Sequence, residues 1–481
     1  MPDDNNVAPR STPSSVERDR SCFAVDMGSY VDAPGSCRSS GKKGALHDHL
    51  TQHLQDHYQA AHHHSSRPCQ SLRWWVCCAV SMISGVALAL AYAVLRYSPH
   101  NSHNSHRIKP AGNTTELITS ILQTASLAWN ISISFGWVDG QRDNESLNIM
   151  VGEMNNSCSE RLDGGQGACP RTLLPAGSLT KVWTATAILR AADAGKFSHG
   201  LDTAMQPLVD RVLQPQCNFT LLQLFANDSK TVSRITIRHL LSMSSGIRDY
   251  DNDWYVQWIL LRGGDRAKGG GGEEMHPCDY LRIQDARLEC APPPCKVGDY
   301  SSINYLLLGF VMQAVENQPS WSGWDQIGTA VPADRRQSHY REVAAPTTGL
   351  CSEYPAVAHQ YSWVNPLDTA RPVVFDYRSY SCANGWGFGN VVASAHDFAQ
   401  LFRDIFAPVP ARALHPLGLH PRTVLDMVDF RPCKMDGHKF APYGLGVFNS
   451  TWARRYSKND YTTDYIGTYA ACYVSLRIAL S

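Results

Sequence analysis

Pro175-Ala176-Gly177-Ser178-Leu179-Thr180-Lys181 heads a run free of further glycine and proline that reads as a helix to Ala194 and stops at Gly195. Leu179, Val182, Trp183, Ala185, Ala187, Ile188 and Leu189 spread around most of this helix, the pattern of one packed on nearly every side. Ser178 and Lys181 are three apart and share a face. A lysine amine so placed can accept the serine's proton if burial or a neighbouring cation lowers its pKa. The helix N-terminus adds positive field beside the serine, where an oxyanion would form. A bare Ser-x-x-Lys also occurs where a serine merely caps a helix and the lysine points to solvent, so the pair alone leaves both readings open.

Four segments downstream bear on the choice. They are Thr236-Ile237-Arg238-His239-Leu240-Leu241-Ser242-Met243-Ser244-Ser245-Gly246-Ile247-Arg248-Asp249-Tyr250, then Gly298-Asp299-Tyr300-Ser301-Ser302-Ile303-Asn304-Tyr305, then Trp386-Gly387-Phe388-Gly389-Asn390, and finally Tyr443-Gly444-Leu445-Gly446. In order and spacing, and together with Ser178 and Lys181, they resemble the serine β-lactamase-related family: class C β-lactamases, D-Ala-D-Ala carboxypeptidases of the penicillin-binding type, and their esterase and eukaryotic relatives. The resemblance covers most of residues 112–481. It implies Ser178 as nucleophile, Lys181 as its partner base, and Tyr300 as the phenol that relays a proton between serine and leaving group.

Two positions depart from the family pattern. Ser302 stands where the Tyr-X-Asn motif has its asparagine, and serine keeps one hydrogen bond where the amide would offer several. Thr468, in Tyr465-Ile466-Gly467-Thr468-Tyr469-Ala470, stands where Lys-Thr-Gly or His-X-Gly has its first residue. Ser302 and Thr468 are therefore the expected substrate-binding positions. Asn304 matches a structural position of the pattern and is given no role at the substrate.

The implied fold is α/β (α+β) and β-lactamase/transpeptidase-like: an antiparallel sheet flanked by helices, plus a mainly helical lobe, with the nucleophile's helix between them. Local patterns agree with this. A helix is expected over Glu116–Ala128. Ile131, Ile133, Phe135 and Trp137 then alternate with small residues, Asp139-Gly140 turns, and Leu147, Ile149 and Val151 alternate again, which reads as a β-hairpin. Tyr473 to Leu480 reads as a strand after which the sheet stops early, so the domain is expected to be truncated at its C-terminus.

Outward from this domain, Trp74 to Leu95 runs for 22 positions without a charge between Arg73 and Arg96. By length and aromatic flanks it reads as a transmembrane helix. Residues 1–73 read as a disordered cytoplasmic tail, 96–110 as a stalk, and 111–481 as the β-lactamase-related domain. Asn113, Asn130, Asn144, Asn155, Asn218, Asn227 and Asn449 each begin an Asn-X-Ser/Thr triplet, all of them after the apolar segment. Ten cysteines also follow it. Together these indicate a single-pass type II membrane glycoprotein whose catalytic domain is luminal or extracellular and carries disulfides. Pro292-Pro293-Pro294 between Cys290 and Cys295 marks a loop that can close as a small disulfide ring, and Gly263–Gly272 reads as a flexible insertion.

The 481 residues balance 43 Lys+Arg against 43 Asp+Glu and show no basic cluster with interleaved aromatics, which argues against nucleic acid as a partner. His49, His53 and His57 at helical spacing, followed by His62–His64, lack the Cys or acidic partners of a defined metal site, so neither metal nor cofactor is expected. The function these readings imply is a membrane-anchored serine hydrolase acting on an amide or ester through a Ser178 acyl-enzyme. A silent binding module that keeps the fold is the alternative. The partner is a small-molecule, peptide or ester substrate, and oligomeric state is left open.

Overall fold

The computed structural model describes residues 112–129, 132–138, 146–151, 172–250, 275–283, 286–354, 357–359, 361–364, 373–376, 378, 381–406, 414–435, 439–450 and 465–467. All of them belong to one compact unit, Cys69–Ser481. The tail, Trp74–Leu95, the stalk, Gly263–Gly272, Thr468 and Tyr473–Leu480 lie outside the described residues. Among the described residues no helix is long and apolar enough to cross a membrane.

The first helix, α1 (Gly112–Trp129), extends beyond the expected 116–128 at both ends. Ile118, Leu122 and Ala125 recur at helical spacing and are buried. The first two meet Ile149 and Val151 of the hairpin, with Ile133 and Phe135 packed against the same small core. The hairpin pairs β1 (Ile133–Val138) with β2 (Ser146–Val151) in antiparallel register, Phe135 opposite Ile149. Residues of one parity therefore share the face toward α1. Gly136, of the other parity, lies so close to the Ala395–His396 backbone that a Cβ would overlap it, which brings the hairpin's second face against α5.

The chain continues through β3 (Leu174–Pro175), α2 (Thr180–Asp193), α3 (Gln206–Cys217), β4 (Gly298–Asp299), α4 (Ser302–Val315), β5 (Tyr361–Val364), β6 (Val373–Asp376), β7 (Val392–Ala393) and α5 (Ala395–Phe406). It then enters β8 (Arg431–Met435), β9 (Lys439–Tyr443), β10 (Phe448–Ser450) and β11 (Tyr465–Gly467). The main sheet has the order β11-β10-β9-β8-β4. Its β8 to β11 portion is antiparallel, as expected. However, β4 joins β8 in parallel, with Gly298 opposite Cys433. A parallel pair needs a long crossover, and α4 and the elements after it supply one. The β1–β2 hairpin forms a sheet of its own.

Two helices are buried on nearly every side, α2 from Thr180 to Leu189 and α4 from Ser302 to Ala314. Both belong to one large apolar core. Polar contacts fix the rotation of α2 within it. Thr184 Oγ1 donates to Gly387 O (2.6 Å), Gln326 Nε2 donates to Thr184 Oγ1 (3.1 Å), and Arg190 Nη1 donates to Thr329 O (2.7 Å). Trp183 meets Tyr340 and Phe398 edge to face. Tyr340 in turn donates to the fully buried Asp404 (2.7 Å), a carboxylate also bound by Arg335 and Gln400.

Three disulfides tie the described residues: Cys217–Cys278, Cys290–Cys295 and Cys351–Cys382. The second is the ring expected around the prolines. Cys433 is not among the paired cysteines. It is buried on β8 and stands in no disulfide, its thiol directed at Lys434 O (3.6 Å).

The Tyr443–Gly446 turn shows how closely the sheet approaches α2. Gly446 has φ +88°, and a Cβ there would overlap the methyl of Ala185. Left-handed strain and overpacking add. Gly446→Ala is expected to lower unfolding free energy by about 2–4 kcal/mol, read from denaturant midpoints at unchanged slope.

Candidate active site

Ser178 sits two residues before α2 proper. The structure places it in a single 3₁₀ turn, Gly177–Leu179, rather than in the α-helix the sequence suggests. The reason is the strand in front. Leu174 and Pro175 pair with Ala393 and Val392, and Ala176 N donates to Val391 O (2.8 Å), so the chain must turn sharply off a strand into the helix. Thr180 Oγ1 accepts from Val391 N (3.0 Å) on the far side of the turn. The tighter helix keeps i and i+3 nearly eclipsed, so the correction leaves the serine–lysine pairing intact. Ser178 is half-buried and Lys181 is fully buried.

Lys181 Nζ donates to Ser178 Oγ (2.9 Å), Ser302 Oγ (3.3 Å) and Phe388 O (3.4 Å). Aromatic rings close around the same nitrogen: Tyr300 at 4.8 Å to the ring centroid, Phe388 at 5.5 Å and Tyr305 at 5.9 Å. Tyr300 follows β4 directly. Its N–H donates to Lys434 O (2.9 Å) and its ring meets Tyr443 edge to face. Ser178, Lys181, Tyr300 and Ser302, drawn from segments more than a hundred residues apart, thus meet at one amine. Thr468 lies outside the described residues, although β11 brings Tyr465–Gly467 to the sheet edge just before it.

Burial pushes both Tyr305 and Tyr443 above the ordinary phenol range, with the adjacent tyrosines and hydroxyl contacts acting after it. Both stay protonated at neutral pH, and Tyr305 spends its proton on Leu241 O (3.0 Å). Neither is suited to shuttle a proton.

Asn304, two residues past Ser302, faces elsewhere. Its Oδ1 accepts from Ser245 Oγ (2.6 Å) and its Nδ2 reaches Met243 Sδ (3.4 Å), a structural role as expected. The sequence reading passed over Asp249. Its buried carboxylate accepts from Ser302 N (2.9 Å) and from Tyr250 N (2.9 Å). An acidic residue within Gly-Ile-Arg-Asp-Tyr carries no local sign of such a bond. Among the described residues, Cys217, His276 and Cys278 bring ligand-type atoms within 4.8 Å of one another. Both sulfurs are held in a disulfide, which removes the thiolates a metal would need.

A family model described as Beta-lactamase matches residues 157–459, a span that includes Ser178, Lys181, Tyr300 and Ser302. No curated protein matches the sequence. Among solved structures the chain is similar to a D-stereospecific amidohydrolase from Streptomyces sp., at 18% identity over 69% of this chain and 82% of that one, with a TM-score of 0.49. It is similar to a D-amino acid amidase from Ochrobactrum anthropi SV3, at 14% identity over 73% and 83%, with a TM-score of 0.47. A penicillin binding protein from Bacillus halodurans follows at 19% identity over 68% and 83%, with a TM-score of 0.44.

Asn304 gives a test of the site's frame. Asn304→Ala would leave the Ser245 hydroxyl buried without its acceptor, at a cost of about 1–3 kcal/mol in unfolding free energy. Ser245→Ala, which leaves both Asn304 Oδ1 and Ile247 N without their buried partner, is expected to cost at least as much in the same denaturation assay.

Proposed function

The chain belongs to the β-lactamase family of serine hydrolases, and from that membership we propose that it cleaves or transfers the acyl group of an amide or ester through a covalent Ser178 intermediate. The 2.9 Å contact between Lys181 Nζ and Ser178 Oγ carries this reading, because it joins a half-exposed hydroxyl to an amine withdrawn from water. A lysine amine at this distance can take the serine's proton when it is in its neutral form. Ser178 Oγ attacks the carbonyl carbon while its proton crosses to the neutral amine. Tyr300 then hands a proton to the departing nitrogen or oxygen as the acyl bond to Ser178 completes. Water repeats the sequence in reverse to release the acid and regenerate the serine. The 3₁₀ turn at the head of α2 supports the developing oxyanion with the field of the helix N-terminus.

Ser302 holds Lys181 by one hydroxyl where the family pattern has an amide, and Thr468 replaces a cation or imidazole. The acyl-enzyme is therefore expected to form or turn over slowly. We place the domain on the far side of a membrane, anchored as type II by Trp74–Leu95. The one-sided sequons and the three disulfides support this. Asn218 and Asn227 are exposed, whereas Asn449 is buried in β10, so glycans fall on the first two rather than on the third.

The decisive experiment treats the full-length chain with a fluorescent fluorophosphonate and a fluorescent penicillin. Labelling is expected in the wild type and absent in Ser178→Ala and Lys181→Met. No labelling of the wild type would instead favour the binding-module reading. Ser302→Asn and Thr468→His should each speed labelling, by the equivalent of about 1–3 kcal/mol of transition-state stabilisation when correctly aimed. Endoglycosidase should lower the apparent mass, and Asn218→Gln with Asn227→Gln should reduce the shift while Asn449→Gln leaves it. A wild type with no shift would end the type II reading.

A further inference from the structure

The start of α4 has an unusual end. Ser301, which flanks the helix, is a residue type that commonly caps helices, yet its side chain makes no capping bond and its buried hydroxyl has no hydrogen-bond partner. Its backbone N–H goes to Met243 Sδ (3.4 Å). The first N–H of the helix proper, that of Ser302, is taken by Asp249 Oδ2 from a loop 53 residues earlier (2.9 Å). Ser302 is also the residue whose hydroxyl reaches Lys181 (3.3 Å).

We propose that Asp249 is a positioning residue that sets Ser302 against Lys181, supplying from a distant loop the anchorage that the missing asparagine amide would have given. The proposal rests on the Ser178 acyl-enzyme reading. The carboxylate is itself fixed, since Oδ1 accepts from Tyr250 N (2.9 Å) and the group is almost fully buried. The loop carrying it is clamped to α4 a second time, because Ser245 Oγ donates to Asn304 Oδ1 (2.6 Å) and accepts from Ile247 N (3.0 Å). A third contact comes from Met243, whose carbonyl accepts from Asp299 N (3.1 Å) just before Tyr300. The segment Met243–Asp249 thus brackets the stretch that presents Tyr300 and Ser302. Ser302 has only a short hydroxyl to offer, so its reach to the amine depends on where its backbone is held.

A merely structural Asp249 and a positioning one differ in three readouts. The full-length chain is labelled with the fluorophosphonate at several concentrations, which separates the maximal labelling rate from half-saturation. Asp249→Asn keeps an acceptor for Ser302 N and is expected to label within about threefold of wild type. Asp249→Glu keeps the charge but displaces the acceptor, and it is expected to lose about tenfold in maximal rate at unchanged half-saturation. Ser302→Ala is expected to lose a similar factor, and Asp249→Glu added to it little more, because both act through one hydroxyl.

The comparison avoids truncating the buried side chain, and melting temperatures confirm that each variant is folded. A glutamate variant as fast as wild type, an asparagine variant as slow as the glutamate one, or losses that multiply in the double mutant would each overturn the proposal while leaving the acyl-enzyme in place. A wild type that takes no label on Ser178 overturns both.

Discussion

An amine held out of water beneath a half-exposed hydroxyl is the constraint on which the rest of the structure depends. Lys181 has no exposure, so each of its hydrogen-bonding directions must be met from within the protein. Ser178 meets one, and Ser302 and Phe388 O meet others. Each comes from a different segment. The nucleophile's turn, the start of α4 and the helical turn Trp386–Gly389 before β7 must therefore converge on one point, and any packing that separates them strands a buried polar group.

The scaffold is arranged to hold that convergence. Helix α2 is gripped along its length, at Thr180 by Val391, at Thr184 by Gly387 and Gln326, and at Arg190 by Thr329. Trp183 rests on Tyr340, and Tyr340 is fixed by the buried Asp404. That carboxylate is satisfied by Arg335 and Gln400 as well, which is how a buried charge is tolerated. Opposite, the sheet comes close enough to α2 that only a glycine fits at position 446. The sheet contributes Tyr300 through the parallel pairing of β4 with β8, so the phenol's position depends on a strand pair rather than on a free loop.

The rings around Lys181 act in two directions. Burial among them disfavours a bare cation, while their faces attract one. Tyr305 and Tyr443 are held as neutral phenols by burial and spend their hydroxyls on structure. Tyr300 sits nearest the amine by ring position, at the end of β4. Chemistry and support are in this way divided among residues of one type by where the backbone places them.

How much was legible in the sequence follows from the range of each interaction. Ser178 and Lys181 are three residues apart, so their contact is a local consequence of helical winding and survives even the change from α to 3₁₀ geometry. The α1 helix, the β1–β2 hairpin and the Cys290–Cys295 ring are local in the same sense, the ring spanning five residues. Tyr300 and Ser302 were legible only through the order of motifs that resemble a family. Tertiary structure alone decided that Ser302 reaches Lys181 across 121 residues, that Phe388 O does so across 207, and that Asp249 anchors the start of α4 from 53 residues away. It also decided that β4 runs parallel to β8 and that Cys433 is enclosed in the sheet outside any disulfide. Periodicity records which face a residue takes on its own element. A contact between elements depends on how several segments share one core, and a single chain's pattern holds no mark of that.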